Sequence, residues 1–493
     1  MTGGETMFDV AEIGSTLAKE DYKVRMPDLR ARLLEAQFHL RRKGVPVLIA
    51  VAGDDRIGCE ELVDRLNEWL DARYLDTQVF EEETEEERQR PRFWRYWMAL
   101  PPRGRASLFF GGLALDAIAD RYLGRIDSDG FAARMEHVRT FERALVTDGM
   151  LLVKIWLHLP RQELRRRLKR KDSGWQLEQR DWIIFKHYDE IKPLCERYLQ
   201  ETSAGGAAWT VVESTDARHR SVRVAEHLLA TFTARLDEAD AVPAPRTAEA
   251  MKPAARPVDV LGSLDLSRRI AEEDYREQLE DQQRRLHKLS LRARKEGLSS
   301  VLAFEGWDSA GKGGAIRRLV WSMKAANCRV VPVAAPTDEE RARHYLWRFW
   351  RHLPRAGKML IFDRSWYGRV LVERVEGFAR PEEWRRAYDE INDFERQLTD
   401  HGSLLLKFWL HIDKDEQLRR FDERANTPRK RYKITEEDYR NREHWDDYLM
   451  AVNEMVARTG STGAPWVLVP ANDKRAARIQ VLTAVCDGLD RLL

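Results

Sequence analysis

The chain has 493 residues, 34% of them charged and 43% hydrophobic, too many for one ordinary core, so two or more globular domains are expected. With 84 basic and 82 acidic residues the formal charge is only +2, which excludes a bulk-charge case for nucleic acid or membrane and leaves any polyanion argument to local patches. Cys59, Cys195, Cys328 and Cys486 show neither metal nor disulfide spacing, no apolar run reaches the ~18 residues of a membrane span, and the opening MTGGETMFDVAEIG carries acids instead of a leader-like apolar core; a cytoplasmic protein without nucleic-acid or membrane partners is the expectation.

A slide of 253 residues superposes the sequence on itself. EEDY (272–275) falls on KEDY (19–22), Gly306, Asp308 and Gly311 fall on Gly53, Asp55 and Gly58, and WRFW (347–350) falls on WRYW (94–97). Phe394-Glu395-Arg396 matches Phe141-Glu142-Arg143, and KFWLHI from Lys407 matches KIWLHL from Lys154. Near the end the offset grows to 257, pairing Trp466 with Trp209 and Asp473 with Asp216, so the second copy holds about four extra residues between His411 and His444. The pattern implies one domain duplicated in tandem: residues 1–236, a linker at 237–260 with Pro243, Pro245, Pro253 and Pro257 among alanines and charges, and residues 261–493. The repeated aromatic quartets sit at helical spacing and read as core or inter-domain packing.

In the second copy a helical pattern runs over 266–297. It is followed by strands at 300–304, 329–334 (irregular, because Pro332 lies inside it), 359–362, 404–412 and 466–469, with a helix around 384–398 before the fourth and another after the fifth. Apolar strands alternating with helices predict an α/β fold with a parallel sheet covered on both faces, its ligands beyond the carboxyl ends of the strands.

Three segments carry chemistry. In VLAFEGWDSAGKGGAIRRL (301–319) a strand runs into Gly306-x4-Gly311-Lys312 and then a helix, so backbone N–H groups of the loop, Gly313 and Gly314 included, and the Lys312 ammonium would cradle phosphate. Gly313 stands where such loops usually have Ser or Thr for the metal, and Asp308 is the expected substitute. In MLIFDRSWYGRVLVERVEGF (359–378) Asp363 ends a strand as a second metal carboxylate, and Arg364 and Arg369 bring guanidiniums suited to polyanions. Glu373, Glu376 and Phe378 follow, where an acceptor nucleotide would sit. In the third segment, Arg424, Arg429, Lys430, Arg431 and Lys433 have no acid among them and suit a lid closing on phosphates; Lys474 and Arg478 follow the fifth strand at the same sheet edge. In the first copy Cys59 replaces Lys312, Glu60 replaces Gly313, Phe110 replaces Asp363, Gly111 replaces Arg364 and Asp116 replaces Arg369, so that copy is expected to be inactive. Its basic run 161–171 reads as the coat of a helix, with guidance of a long polyanion as the alternative.

The elements GWDSAGKGG, DRSWYGR, ERANTPRKRYK, HWDDY and PWVLVPANDK together resemble the polyphosphate kinase 2 family, and the two-copy arrangement resembles its fused subclass that phosphorylates AMP. The resemblance implies two tandem three-layer α/β/α P-loop kinase domains of thymidylate-kinase type with a helical lid, a need for Mg²⁺ or Mn²⁺, inorganic polyphosphate as donor and a nucleotide (AMP, GMP or ADP) as acceptor. It implies in-line attack by the acceptor phosphate on the terminal phosphorus, with Asp308, Lys312, Asp363, Arg364 and Arg369 at the reacting groups. Two other activities fit the same fold: polyphosphate-dependent phosphorylation of ADP or GDP, and ATP-dependent nucleoside monophosphate phosphorylation. A non-catalytic polyanion-binding module suits the eroded first copy but not the complete second one. A monomer and a homodimer are both compatible with a tandem pair.

Overall fold

Apolar runs that stop at glycines, prolines or acids become parallel strands in both copies of the computed structural model, which describes residues 7–169, 179–203, 207–240, 259–427 and 436–493. The first copy contributes β1 (Val47–Gly53), β2 (Leu75–Phe80), β3 (Ala106–Gly111), β4 (Leu151–His158) and β5 (Trp209–Glu213), ordered β2-β3-β1-β4-β5. The second contributes β6 (Ser300–Gly306), β7 (Cys328–Pro332), β8 (Met359–Asp363), β9 (Leu404–His411) and β10 (Trp466–Pro470), ordered β10-β9-β6-β8-β7. The two orders are the same topology. In each sheet the first strand lies between the third and the fourth, so the connections leave it in opposite directions and open a crevice beyond its carboxyl end.

Burial follows this order. All eight residues of β9 and the first six of β6 are buried, whereas β7, at the sheet edge, buries Val331 alone. Pro332 ends that edge strand, where its missing N–H breaks no central ladder. Phe304 of β6 stacks on Phe408 of β9 at 4.7 Å, the kind of buried aromatic contact that contributes about 1 kcal/mol beyond its area.

Contacts divide the chain into two units. Met1–Glu83, Ala99–Arg246 and Arg341–His344 form the first, and Thr84–Met98, Thr247–Glu340 and Tyr345–Leu493 form the second. The quartet 94–97 therefore belongs to the second unit, where Trp97 stacks on Trp350 at 5.7 Å; the aromatic quartets do pack together, as expected.

Two sequence boundaries are corrected. The helix expected at 266–297 is Glu272–Glu296, closed by Gly297 at φ 75°. Its start is delayed because Asp265 takes the Ser267 N–H and hydroxyl and Asp473 takes the Ile270 N–H, side-chain bonds that compete with helix. The linker expected at 237–260 is shorter at both ends. Residues 237–240 finish the helix Ala217–Asp240, and the N–H groups of Val260 and Leu261 bond to Asn453; residues 241–258 lie outside the described residues. No helix among the described residues is long and apolar enough to cross a membrane.

Candidate functional site

The crevice beyond β6 begins at Gly306. Its φ is 143°, and a Cβ there would stand 2.5 Å from the Leu410 carbonyl oxygen on β9, so only glycine fits. The loop then crosses Ser309 (φ 66°) and Gly311 (φ 113°) into the helix Lys312–Trp321, whose start has no side-chain cap and suits an anion, although the Gly314 N–H already donates to the Gly311 carbonyl at 2.9 Å. Gly313 has open space around its Cβ position, so the absent hydroxyl is not a matter of room. The Lys312 ammonium folds back on its own loop, donating to the carbonyls of Gly306 (2.6 Å) and Trp307 (3.2 Å). Burial and the Arg364 cation pull its pKa down, while Asp308, Asp363 and Glu305 pull it up; the net direction is down.

Asp308 lies within that charge cluster. Its Oδ1 accepts from Arg364 Nη2 at 3.0 Å and its Oδ2 from Asn441 Nδ2 at 3.1 Å. Burial works against its charge, but Lys312, Arg364, Asn441 and Arg424 hold its carboxyl below the ordinary range. Asp363 ends β8 in register with Phe304 of β6, while Asp308 lies in the loop just past the end of β6, and both carboxylates act on the Lys312 ammonium. Arg369 pairs with Glu373 at 3.0 Å and covers the Tyr345 ring at 4.4 Å. Phe378, expected near a nucleotide, is 69% exposed. Arg478 donates to Tyr275, and Lys474 faces Glu423 at 3.7 Å. Of the lid cations, Arg424 acts electrostatically on Asp308; Arg429, Lys430, Arg431 and Lys433 lie outside the described residues.

Several groups at the crevice are absent from the sequence reading. Glu305, 6% exposed, accepts from the N–H and hydroxyl of Ser365 at 2.7 and 2.8 Å, and burial pushes its pKa up despite those bonds. Arg420 donates to the carbonyls of Ser309 (3.0 Å) and Ala310 (2.9 Å) in the loop and of Ala471 (2.6 Å) and Asn472 (2.9 Å) after β10. Trp307 stacks on Trp445 at 3.8 Å, and both Trp307 and Trp409 donate to His411 Nδ1. An open cleft of about 580 Å³ adjoins the phosphate loop, lined among others by Glu305, Trp307, Asp308, Arg364, Trp409 and Tyr448. It joins polar groups to aromatic walls, as a nucleotide requires. Glu395 steadies the segment after Asp363, taking Trp366 Nε1 (3.0 Å), Tyr367 Oη (2.5 Å) and Lys407 Nζ (2.7 Å).

The same place in the first unit is internally neutralised. Asp55 caps the N–H of Gly58 at 3.1 Å and pairs with Arg167 and with the Ser214 hydroxyl, while Arg220 approaches it at 3.6 Å. Its carboxylate thus covers the helix start at which a phosphate would bind. Cys59, where Lys312 stands in the second unit, is buried, which drives its thiol pKa far up.

Comparison with known proteins gives three findings. The sequence model of the polyphosphate kinase 2 family matches residues 16–240 and again 269–492. A polyphosphate:AMP phosphotransferase of Pseudomonas aeruginosa is 45% identical over 98% of this chain and 99% of its own length, and a GDP-polyphosphate phosphotransferase of that species is 36% identical over 45% of this chain and 62% of its own. A crystal structure assigned to polyphosphate kinase 2 of Pseudomonas aeruginosa PA01 superposes with a TM-score of 0.90 at 44% identity, covering 99% of both chains.

Proposed function

The chain belongs to the polyphosphate kinase 2 family, and from that premise we propose that it moves the terminal phosphate of inorganic polyphosphate to AMP, giving ADP. The observation that carries AMP as acceptor is architectural. The polyphosphate:AMP phosphotransferase matches this chain end to end with both copies, whereas the GDP-using relative matches less than half of it.

The reading assigns one catalytic site per chain, in residues 261–493, and a degenerate, supporting role to residues 1–236. The phosphate loop and the start of the helix Lys312–Trp321 bind the donor's terminal phosphates. Lys312 leaves the Gly306 and Trp307 carbonyls to neutralise them, and Arg364, 45% exposed at its side chain, reaches across from Asp308. Arg369 orders the turn after Asp363 through Glu373 and Tyr345. The aromatic-walled cleft receives the nucleotide with its phosphate facing the loop. Two carboxylates, Asp363 at the end of β8 and Asp308 in the loop after β6, both acting on Lys312, are hard oxygen donors that fit Mg²⁺ or Mn²⁺ and would hold it. When bound, the cation supplies charge neutralisation on phosphate oxygens. In-line transfer between two phosphates needs no covalent protein intermediate and no strong base, so positioning and charge are the protein's contribution.

The test is ADP formation from AMP by the purified full chain with Mg²⁺, comparing long-chain polyphosphate with ATP as donor. ADP from polyphosphate and not from ATP is the expected result. Turnover with ATP alone would replace the reading by an ordinary monophosphate kinase, and ATP formation from ADP with AMP untouched would move the acceptor to diphosphates.

A further inference from the structure

Arg364 is held in the left-handed region at φ 65°, a conformation costly for any residue with a Cβ. Its counterpart in the first copy is Gly111, at φ 78°. The inactive copy keeps the backbone turn and has shed the side chain that strains it. The strained turn is fastened on both sides. The Arg364 N–H donates to the Phe304 carbonyl at 3.0 Å, and the next residue, Ser365, gives both its N–H and its hydroxyl to Glu305 Oε1. Glu305 is buried at the end of β6, beside the phosphate loop and in the wall of the cleft. In the first copy these two positions are Ala52 and Gly112, so acceptor, hydroxyl and strained arginine are all missing together. Other buried polar devices persist there: Lys154 still bonds Glu142 at 2.6 Å as Lys407 bonds Glu395, and Arg167 still stands for Arg420. Loss of Glu305 and Ser365 together with Lys312, Asp363 and Arg364, while those other buried devices stay, ties Glu305 to their task and not to the fold.

We propose that Glu305 is a positioning residue for phosphoryl transfer, whose carboxylate grips Ser365 and thereby keeps Arg364 on Asp308 and Asp363 at the mouth of the crevice. This inference rests on the reading given under Proposed function.

Full-length Glu305→Ala, Glu305→Gln and Ser365→Ala are compared with the wild type in the polyphosphate–AMP assay and by hydrogen–deuterium exchange at the Ser365 amide. Glu305→Ala is expected to lower kcat roughly tenfold or more, with KM for AMP within about threefold, because a displaced turn costs the transition state more than it costs binding. Exchange at Ser365 should rise in the same variant. Glu305→Gln keeps an acceptor oxygen and should return to near wild-type kcat and exchange. Ser365→Ala loses one of the two arms and should fall between. Wild-type kcat in Glu305→Ala, or Glu305→Gln as poor as Glu305→Ala, overturns the proposal. Exchange separates this failure from that of the parent reading: a wild type without turnover sinks the reaction, whereas unchanged Ser365 exchange in Glu305→Ala sinks the clamp. Should Glu305→Ala not fold, raised exchange and lowered kcat in Ser365→Ala, with neither in Glu305→Gln, supports the clamp, and wild-type behaviour of Ser365→Ala overturns it.

Discussion

Arg420 places a full positive charge, 2% exposed, beneath a loop meant for anions. Its guanidinium satisfies four carbonyls, two in the phosphate loop and two after β10, and its Nε bonds Glu416 at 2.5 Å. The planar fork with five donors is what lets one side chain do this, and an ammonium with three mobile donors cannot span the same oxygens. The Ser309 and Ala310 carbonyls it holds flank the turn whose N–H groups must face phosphate, so fixing the carbonyls aims the donors. Arg420→Lys is accordingly expected to destabilise the second unit by about 3 kcal/mol, as broken buried charge networks do, and to lower turnover along with it. Urea unfolding followed by tryptophan fluorescence checks the first effect and the coupled assay the second. Unchanged stability would mean that the carbonyls find water as easily as the guanidinium.

At the scale of elements, the strands of the second copy were legible to within about two residues because apolar runs there end at glycines, prolines or acids. The helix starting at Glu272 was not, since the side chains that delay it come partly from Asp473, 203 positions away. The same divide runs through the site. Asp308, Lys312, Asp363 and Arg364 lie inside motifs and could be read from their neighbours. Glu305 and Asn441 act through partners 60 and 133 positions distant, which no local pattern reports. Only the change from Glu305 to Ala52 between the copies carried a trace of the former. His411, at the end of β9, is another such residue. Its Nδ1 must be unprotonated to accept from Trp307 and Trp409, and burial depresses its pKa from the ordinary 6.5 to about 4. Above pH 6.5 it is neutral in the folded and unfolded chain alike. As pH falls from there toward 4, the unfolded chain takes up a proton that the folded one refuses, so stability declines across that window, by up to about 3 kcal/mol from this group. Denaturation curves between pH 7 and 4 should show that slope, and His411→Gln should flatten it. A wild-type curve without it would mean that the imidazole is protonated in the fold.

For the whole molecule, the question is why a chain carries two copies of one domain when the first lacks the loop lysine, the strand-end aspartate and both arginines of the second. The first unit's loop acid Asp55 caps the Gly58 N–H and pairs with Arg167, with Arg220 close by, so charged groups at the place of the phosphate loop hold each other. That arrangement stabilises a sheet and a helix start without any ligand, which is what a supporting domain requires. It also makes the two units separable by single substitutions. Asp363→Asn, nearly isosteric at a partly exposed strand end, should leave the unfolding transition within about 0.5 kcal/mol of wild type while turnover drops by two orders of magnitude or more. Were the first unit catalytic, the variant would retain the share of one working site. Cys59→Ala should do the reverse, removing a buried sulfur at a cost of about 1 kcal/mol while phosphate transfer stays near the wild-type rate. A large loss of turnover in Cys59→Ala at intact stability would place chemistry in the first unit, and the self-neutralised loop around Asp55 would then have to open during the reaction.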